Sequence, residues 1–242
     1  EENGVYTSET GVGNWEKIAS RGSSISGFEP TSRITLALAP SNEDILYVLY
    51  DNGASFNSQN PQPEADLWRY NRSTQAWRDF SDKMPDEPGG DLSGNDPFAH
   101  QGSYDLVISV KPDDENFVVI GGTNAYKITD ITTDNMFTRI GGYISNTSYG
   151  LYNDGGVDHH PDLHAFAWDP NDTSILYSGS DGGVHKTVDV NASSVRWVNL
   201  NNDYLTYQYY HVTMLNKEGS DYIMGGAQDN GTTAGGLDAG LP

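Results

Sequence analysis

The stretch HAFAWDPNDTSILYSGSDGG, residues 164–183, contains two apolar runs joined by a polar turn with a proline. The first run alternates apolar and polar or small residues, and the second ends in Asp-Gly-Gly. Alternation over a few residues predicts a half-buried β-strand, and two such runs across a short turn predict a β-hairpin. This stretch therefore predicts two antiparallel strands followed by a second tight turn.

The same pattern recurs along the chain. The other copies are ITLALAPSNEDILYVLYDN (34–52), DLVISVKPDDENFVVIGGTN (105–124) and YHVTMLNKEGSDYIMGGAQDNG (210–231). The first three copies in chain order are each followed by a second pair of short apolar runs, and the chain begins with such a pair alone. Repeated four-stranded units without helices between them are typical of β-propeller blades.

We therefore predict an all-β protein, a β-propeller of four-stranded antiparallel blades, with three complete blades and half blades at both ends. The complete blades are expected at 31–82, 103–141 and 163–200. Residues 209–233 are expected to combine with 4–19 into one split blade. On this interpretation residues 1–242 form a single propeller domain or a fragment of a larger propeller.

The charge and composition exclude several classes of function. The formal net charge is −21, which disfavours binding to nucleic acid or to anionic membranes. No apolar run approaches the length of about 20 residues that a membrane span needs, so membrane insertion is not expected. The chain has no cysteine, which excludes a cysteine nucleophile. It begins with Glu-Glu-Asn rather than Met, and we expect either a processed protein or a piece of a longer one, secreted or held at the cell surface.

Four phrases resemble those of a known family. They are GSYDLVISVKPDDENFVVIGG (102–122), HHPDLHAFAWDPNDTSILYSGSDGGVHKTVD (159–189), LTYQYYHVTMLN (205–216) and YIMGGAQDNGT (222–232). Together they are similar to the secreted bacterial BNR-repeat, sortilin-like (VPS10-type) propellers. The linkers TSETGVGNW (7–15) and TVDVNASSVRW (187–197) resemble degenerate Asp-boxes, which makes structural roles the expectation for Trp15 and Trp197.

The resemblance implies a propeller at a cell surface or in secreted material and specifies no reaction. Some distant relatives are xyloglucanase-type propellers, in which the aspartate of a Thr-Asp-x-Gly-Gly phrase serves in acid–base chemistry. Asp181, in GSDGGV, stands in a similar but shorter phrase. One residue fewer between the acid and the glycines leaves open whether this carboxylate faces a cleft.

Three residues form a candidate metal site. His160, Asp162 and His164 stand two positions apart, so they share one face if a single strand includes all three. A divalent ion is the cofactor that such a face would take, with His159 or Asp158 completing the coordination; no cofactor is expected to be required. The alternative is that these side chains hydrogen-bond to one another and to water.

Glycine-flanked acids offer a candidate catalytic pair. Glycosidases use one carboxyl group with a raised pKa and one ionised partner. Asp181 and Asp229 follow equivalent strands in successive units and are the predicted pair. The alternative is that both residues only shape turns, because Asp caps local amides and Gly tolerates a positive φ.

Aromatic and polar side chains near these acids suit a carbohydrate, because sugar faces stack on rings while sugar hydroxyls need polar partners. The predicted ligand-binding residues are Tyr104, Asp105, Tyr152, Asp154, Tyr207, Gln208, Gln228 and Asn230. Two functions remain. We favour a binding or structural module for a polysaccharide or a surface protein, and the alternative is a glycoside hydrolase.

Overall fold

The computed structural model describes residues 3–57, 59–203 and 207–236. The chain divides into two compact units, Glu1–Leu200 and Asn201–Pro242. Both units consist of antiparallel β-sheet. In the described residues the only helical element is a short 3₁₀ helix, Ser81–Lys83, and no helix there has the length and hydrophobicity of a membrane span.

Three four-stranded antiparallel sheets form the blades of the first unit. Blade one contains β3 (Ile34–Ala39), β4 (Asn42–Asp51), β5 (Ala65–Asn71) and β6 (Ala76–Asp79). Blade two contains β7 (Val107–Val110), β8 (Val118–Gly121), β9 (Ala125–Ile128) and β10 (Thr138–Gly141). Blade three contains β14 (Leu163–Trp168), β15 (Leu176–Ser180), β16 (Gly183–Thr187) and β17 (Trp197–Asn199). In each blade the strands pair in chain order, which confirms the predicted all-β propeller fold.

The two ends of the chain form smaller sheets. At the start, β1 (Gly4–Thr7) pairs with β2 (Glu16–Ser20), as a half blade should. The second unit contains β18 (Tyr209–Met214), β19 (Ile223–Ala227) and β20 (Gly231–Gly235). The half blade predicted there had two strands, and the third, β20, is an addition to it. That residues 209–233 and 4–19 complete one another stays a prediction.

An inserted sheet between blades two and three was not predicted. It contains β11 (Tyr143–Ser145), β12 (Ser148–Asn153) and β13 (Asp158–His159), with β12 paired to both neighbours. The side chains of β12 are exposed or only half-buried, so its sequence lacks the apolar alternation that marks the blade strands.

The core lies between the blades. All four residues of β8 are buried, because this inner strand has a neighbouring blade on each face. Ile120 belongs to an apolar cluster with Tyr47 of blade one, whereas Val119 belongs to one with Leu176 of blade three. The innermost strands β3, β7 and β14 also contact one another in that order. Alternate residues of blade two thus join the first and third blades.

Tryptophans illustrate both the success and the failure of the predicted structural roles. Trp197 is 3% exposed, donates from Nε1 to the carbonyl oxygen of Ile140 at 2.6 Å and packs on the ring of His159. Trp168 donates from Nε1 to Oγ of Ser109, so it also links blades two and three. Trp15, by contrast, is 57% exposed.

We expect Trp197→Ala to lower the free energy of unfolding by about 3–5 kcal/mol, because truncating a buried tryptophan leaves a cavity and an unpaired carbonyl. Chemical denaturation followed by circular dichroism measures this loss. Trp15→Ala is the matched control and should change stability by less than about 1 kcal/mol. Equal losses in the two variants would show that Trp197 is not a core residue.

Candidate functional site

The ends of several strands meet at one edge of blades two and three. Asp105 lies just before β7, Asp162 lies just before β14, and Asp181 lies in the turn from β15 to β16. Within blade three, Leu163 pairs with Ser180, so the start of β14 and the end of β15 lie side by side. The peptide N–H of Asp181 donates to the carbonyl oxygen of Asp162 at 3.2 Å.

The loop of residues 100–105 is held by hydrogen bonds that leave Tyr104 at the surface and bury Asp105. The peptide N–H of Asp105 donates to the carbonyl oxygen of His100, whose Nδ1 accepts from the N–H of Ser103. Arg33 donates to the carbonyl oxygens of Ser103 and Tyr104, both at 2.9 Å. Residues 100–105 are thereby fixed, with the ring of Tyr104 half-exposed and Asp105 fully buried.

Asp162 occupies a turn rather than a strand. Its φ is +64°, and its peptide N–H donates to the carbonyl oxygen of Thr123 at 2.8 Å. Its Oδ1 accepts a short hydrogen bond from Nε2 of Gln101. Because β14 begins at Leu163, the alternation that was to place His160, Asp162 and His164 on one strand face does not exist. Metal binding by these three residues stays a prediction without that support.

His164 joins the acids. Its Nε2 lies 2.6 Å from Oδ1 of Asp181 and 3.8 Å from Oδ1 of Asp105. Tyr104 places its ring 4.8 Å from the His164 ring, and its hydroxyl donates to Oδ1 of Asp181 at 3.4 Å. The result is a layered site, which we call the carboxyl cluster, with Asp105 beneath and Tyr104, His164 and Asp181 towards solvent, beside Asp162.

Electrostatics assign the proton in this cluster. As a carboxylate Asp105 would have no donor, since neither of its buried oxygens accepts a hydrogen bond. Burial, and then the charges of Asp162 and Asp181, raise its pKa to about 8. Burial, followed by the charge of Asp181, also raises the pKa of Asp162. At neutral pH Asp105 is therefore a neutral acid, and its proton can be donated to Asp162.

Two further histidines lie near the cluster, His159 and His160. His159 is fully buried; its Nδ1 accepts from the N–H of Gly142 at 3.0 Å, and its Nε2 pairs with Oγ of Ser178 at 2.9 Å. Burial lowers its pKa to about 3. With both nitrogens engaged, it has no free lone pair to complete a metal site. His160 packs against the backbone of Gly182, beside Asp181.

Two other predicted ligand-binding residues of the first unit, and the candidate metal ligand Asp158, have partners of their own. The hydroxyl of Tyr152 donates to the carbonyl oxygen of Val195 at 3.0 Å. Asp154 accepts a short hydrogen bond from Ser194 and lies 3.6 Å from Nε of Arg196. Asp158 accepts from the side chain of Asn153 at 2.6 Å. None of these contacts leads to the carboxyl cluster.

The remaining predicted residues belong to the second unit. Asp229 lies in the turn from β19 to β20 with a φ of +54°, which is the position that Asp181 has in blade three. The peptide N–H of Gln228 donates to the carbonyl oxygen of Gln208, and Asn230 bonds back to the carbonyl oxygen of Gln228. The ring of Tyr207 stacks on that of Tyr209 at 6.0 Å. The equivalence of Asp181 and Asp229 is thus local, within their own sheets.

Sequence reasoning named the members of the carboxyl cluster but assigned them to separate roles. It placed Asp105 among ligand-binding residues, Asp162 and His164 in a metal site and Asp181 in a catalytic pair. Gln101 and His100 were not singled out at all. The phrase HQGSYD (100–105) holds a signal for them, because a polar run this dense before an apolar strand is typical of a structured loop.

Comparison with known proteins supports the fold. The chain is similar to the GH74 xyloglucanase of Xanthomonas campestris, with a TM-score of 0.50 and 13% identity over 90% of this chain and 29% of that chain. It also matches the GH74 enzyme of Niastella koreensis, with a TM-score of 0.46 and 15% identity over 92% of this chain and 30% of that chain.

The chain spans less than a third of the length of either of these structures. No protein-family model and no curated protein sequence matches it. At these identities the likeness shows a propeller-like fold and does not extend to a BNR-repeat or sortilin-like group.

The neutral state of Asp105 has a measurable consequence for stability. Between pH 4 and pH 8, approximately, the folded protein keeps a proton that the unfolded chain releases, so this residue lowers stability as the pH rises. Asparagine cannot ionise. Between pH 5 and pH 8.5 we expect the melting temperature of the parent to fall further than that of Asp105→Asn. The two falls should differ by at least about 3 °C.

Differential scanning calorimetry across that pH range measures the difference. Asp82→Asn, at an exposed carboxylate outside the cluster, should leave the pH profile unchanged. Parallel profiles for the parent and Asp105→Asn would show that Asp105 is ionised in the folded protein.

Proposed function

We propose that the protein recognises a polysaccharide at the carboxyl cluster. The observation that carries this proposal is the half-exposed ring of Tyr104, 4.8 Å from His164 and bonded to Asp181. An exposed ring suits the apolar face of a sugar, and adjacent carboxylate, imidazole and amide groups suit its hydroxyls. The structurally similar propeller of Xanthomonas campestris is a xyloglucanase, which is in keeping with a polysaccharide ligand.

The location proposed for this recognition is outside the cell or at its surface. The support is the resemblance of four sequence phrases to secreted BNR-repeat, sortilin-like propellers, together with the net charge of −21. We include membership of that group in the proposal. A surface protein is the other partner that the same face would accept.

Glycoside hydrolysis is a second candidate, and a specific observation favours it. A proton is held in the Asp105–Asp162 pair next to Asp181, which already accepts hydrogen bonds from His164 and Tyr104. Glycosidases need one carboxyl group that holds a proton and a second that is ionised, about 5–9.5 Å apart. In this hydrolytic mechanism Asp105 passes its proton to the half-buried Asp162, Asp162 passes a proton on to the leaving oxygen of the sugar, and Asp181 is the base. The earlier pairing of Asp181 with Asp229 stays an alternative.

We expect Tyr104→Ala to weaken binding to plant polysaccharides, xyloglucan among them, by about tenfold, because the lost ring stacking is worth about 1.4 kcal/mol. Affinity electrophoresis or calorimetric titration measures the change. Tyr149→Ala is the matched control, since Tyr149 has the same exposure of 51% and lies in the inserted sheet. If both variants bind as the parent does, or if the folded parent binds no glycan, recognition at Tyr104 is excluded.

Release of reducing sugar from the same panel separates the two candidates. Binding without release supports recognition alone. Release that falls at least a thousandfold in both Asp162→Asn and Asp181→Asn, but persists in Asp229→Asn, supports hydrolysis by the carboxyl cluster. Release that is lost in Asp229→Asn and kept in Asp162→Asn supports the alternative pair.

A further inference from the structure

The insertion between blades one and two contains a second group of acids. Residues 84–106 connect the 3₁₀ helix to β7. The loop is closed on itself, because the N–H of Phe98 donates to the carbonyl oxygen of Pro85 at 2.9 Å, and Leu92 forms an isolated β-bridge with Asp96. Its ends are therefore held together, and the acids within it face one another.

Three carboxylates converge inside this loop. Asp86, Asp91 and Asp96 each offer one oxygen, and these oxygens all lie within 4.8 Å of one another. Asp86 is exposed, Asp91 is half-buried and Asp96 is fully buried. Three like charges so close repel one another strongly unless a cation or protons neutralise them.

One carboxylate oxygen of Asp96, the buried member of the group, lacks a hydrogen-bond partner. Oδ1 of Asp96 accepts the N–H of Glu87 at 2.8 Å, but its buried Oδ2 has no hydrogen-bond partner. A buried carboxylate oxygen without a donor costs free energy, and in folded proteins such an oxygen takes up a proton or binds a water molecule or a cation. In the part of the chain that the structure describes, no ion pair reaches Asp86, Asp91 or Asp96.

The one arginine at the loop is already engaged elsewhere. Arg139 donates from Nε to Oε1 of Glu87 at 2.9 Å and from its terminal nitrogens to the side chain and carbonyl oxygen of Asn95. It holds the outside of the loop and is not paired with the three aspartates, so a cation that neutralises them would be taken up from solution.

We propose that Asp86, Asp91 and Asp96 bind a calcium ion that closes the loop between blades one and two. Hard oxygen donors from carboxylates are the ligands that calcium takes, and water that reaches the exposed Asp86 can supply the rest of its coordination. The three ligands include no histidine or cysteine, which softer metals such as zinc prefer. Calcium also tolerates irregular geometry, whereas magnesium demands a near-octahedral site.

The loop contacts make the ion a link between two insertions. Nδ2 of Asn95 donates to the carbonyl oxygen of Ser148 at 2.7 Å, and Nδ2 of Asn146 donates to the carbonyl oxygen of Pro88 at 2.9 Å. Ser148 and Asn146 both belong to the β11–β12 hairpin, which is part of the inserted sheet between blades two and three. Calcium at the aspartates therefore stabilises this hairpin as well as the loop.

The test is a thermal unfolding series on the whole chain, stripped with a chelator and then titrated with calcium chloride. We expect a rise in melting temperature of about 5–10 °C at a calcium concentration of 100 times the dissociation constant. Asp91→Asn, at a half-buried position that the fold should tolerate, is expected to lose at least three-quarters of that rise. Asp96→Asn should lose it too, and isothermal titration calorimetry should show one site in the parent and none in either variant.

Asp82→Asn is the matched control, since Asp82 is a nearby exposed aspartate outside the group, and it should keep the full response. The absence of any rise in the parent at 10-millimolar calcium, approximately, would overturn the proposal. So would an equal rise in the parent and Asp91→Asn, or an equal response to magnesium chloride.

Discussion

The fold depends on the burial of blade strands on both faces. A lone four-stranded sheet has two faces, and in blade two both are apolar, since β8 is buried at every residue from Val118 to Gly121. Such a sheet is stable only between two neighbours, and the shared apolar clusters with blades one and three satisfy this condition. Exposing either apolar face of blade two to water would cost free energy, which keeps blade two between blades one and three.

The same constraint decides where chemistry can occur. Because packing takes up much of each blade face, strand ends and loops are the places where several acidic side chains can gather. Asp105, Asp162 and Asp181 all lie at strand ends, and Asp86, Asp91 and Asp96 lie in a connection. An acidic chain with few strand positions open to charge brings its carboxylates close together, and burial followed by the charges of Asp162 and Asp181 raises the pKa of Asp105.

The amino-acid sequence was sufficient for the blades because local pattern determines them. Alternating runs, Pro-containing turns and Asp-Gly-Gly ends are short-range signals, and the hairpins β7–β8 and β14–β15 follow them closely. Local pattern was not sufficient for the candidate site. Asp162 looked like a strand residue until its left-handed φ was known. Asp105 is neutral because tertiary packing buries it and brings Asp162 and Asp181 close to it. The inserted sheet escaped prediction since its exposed strands carry no apolar period.

The contacts between the two insertions bear on how such proteins diverge. The side chains of Asn95 and Asn146 each donate to a backbone carbonyl of the opposite insertion, at Ser148 and Pro88. Neither hydrogen bond uses the side chain of the accepting residue. A carbonyl is present whatever residue carries it, so substitutions at the accepting positions leave the join intact. Insertion or deletion of a residue would shift the carbonyl and break it. Homologous chains should therefore vary in sequence at these positions while keeping the lengths of both insertions matched.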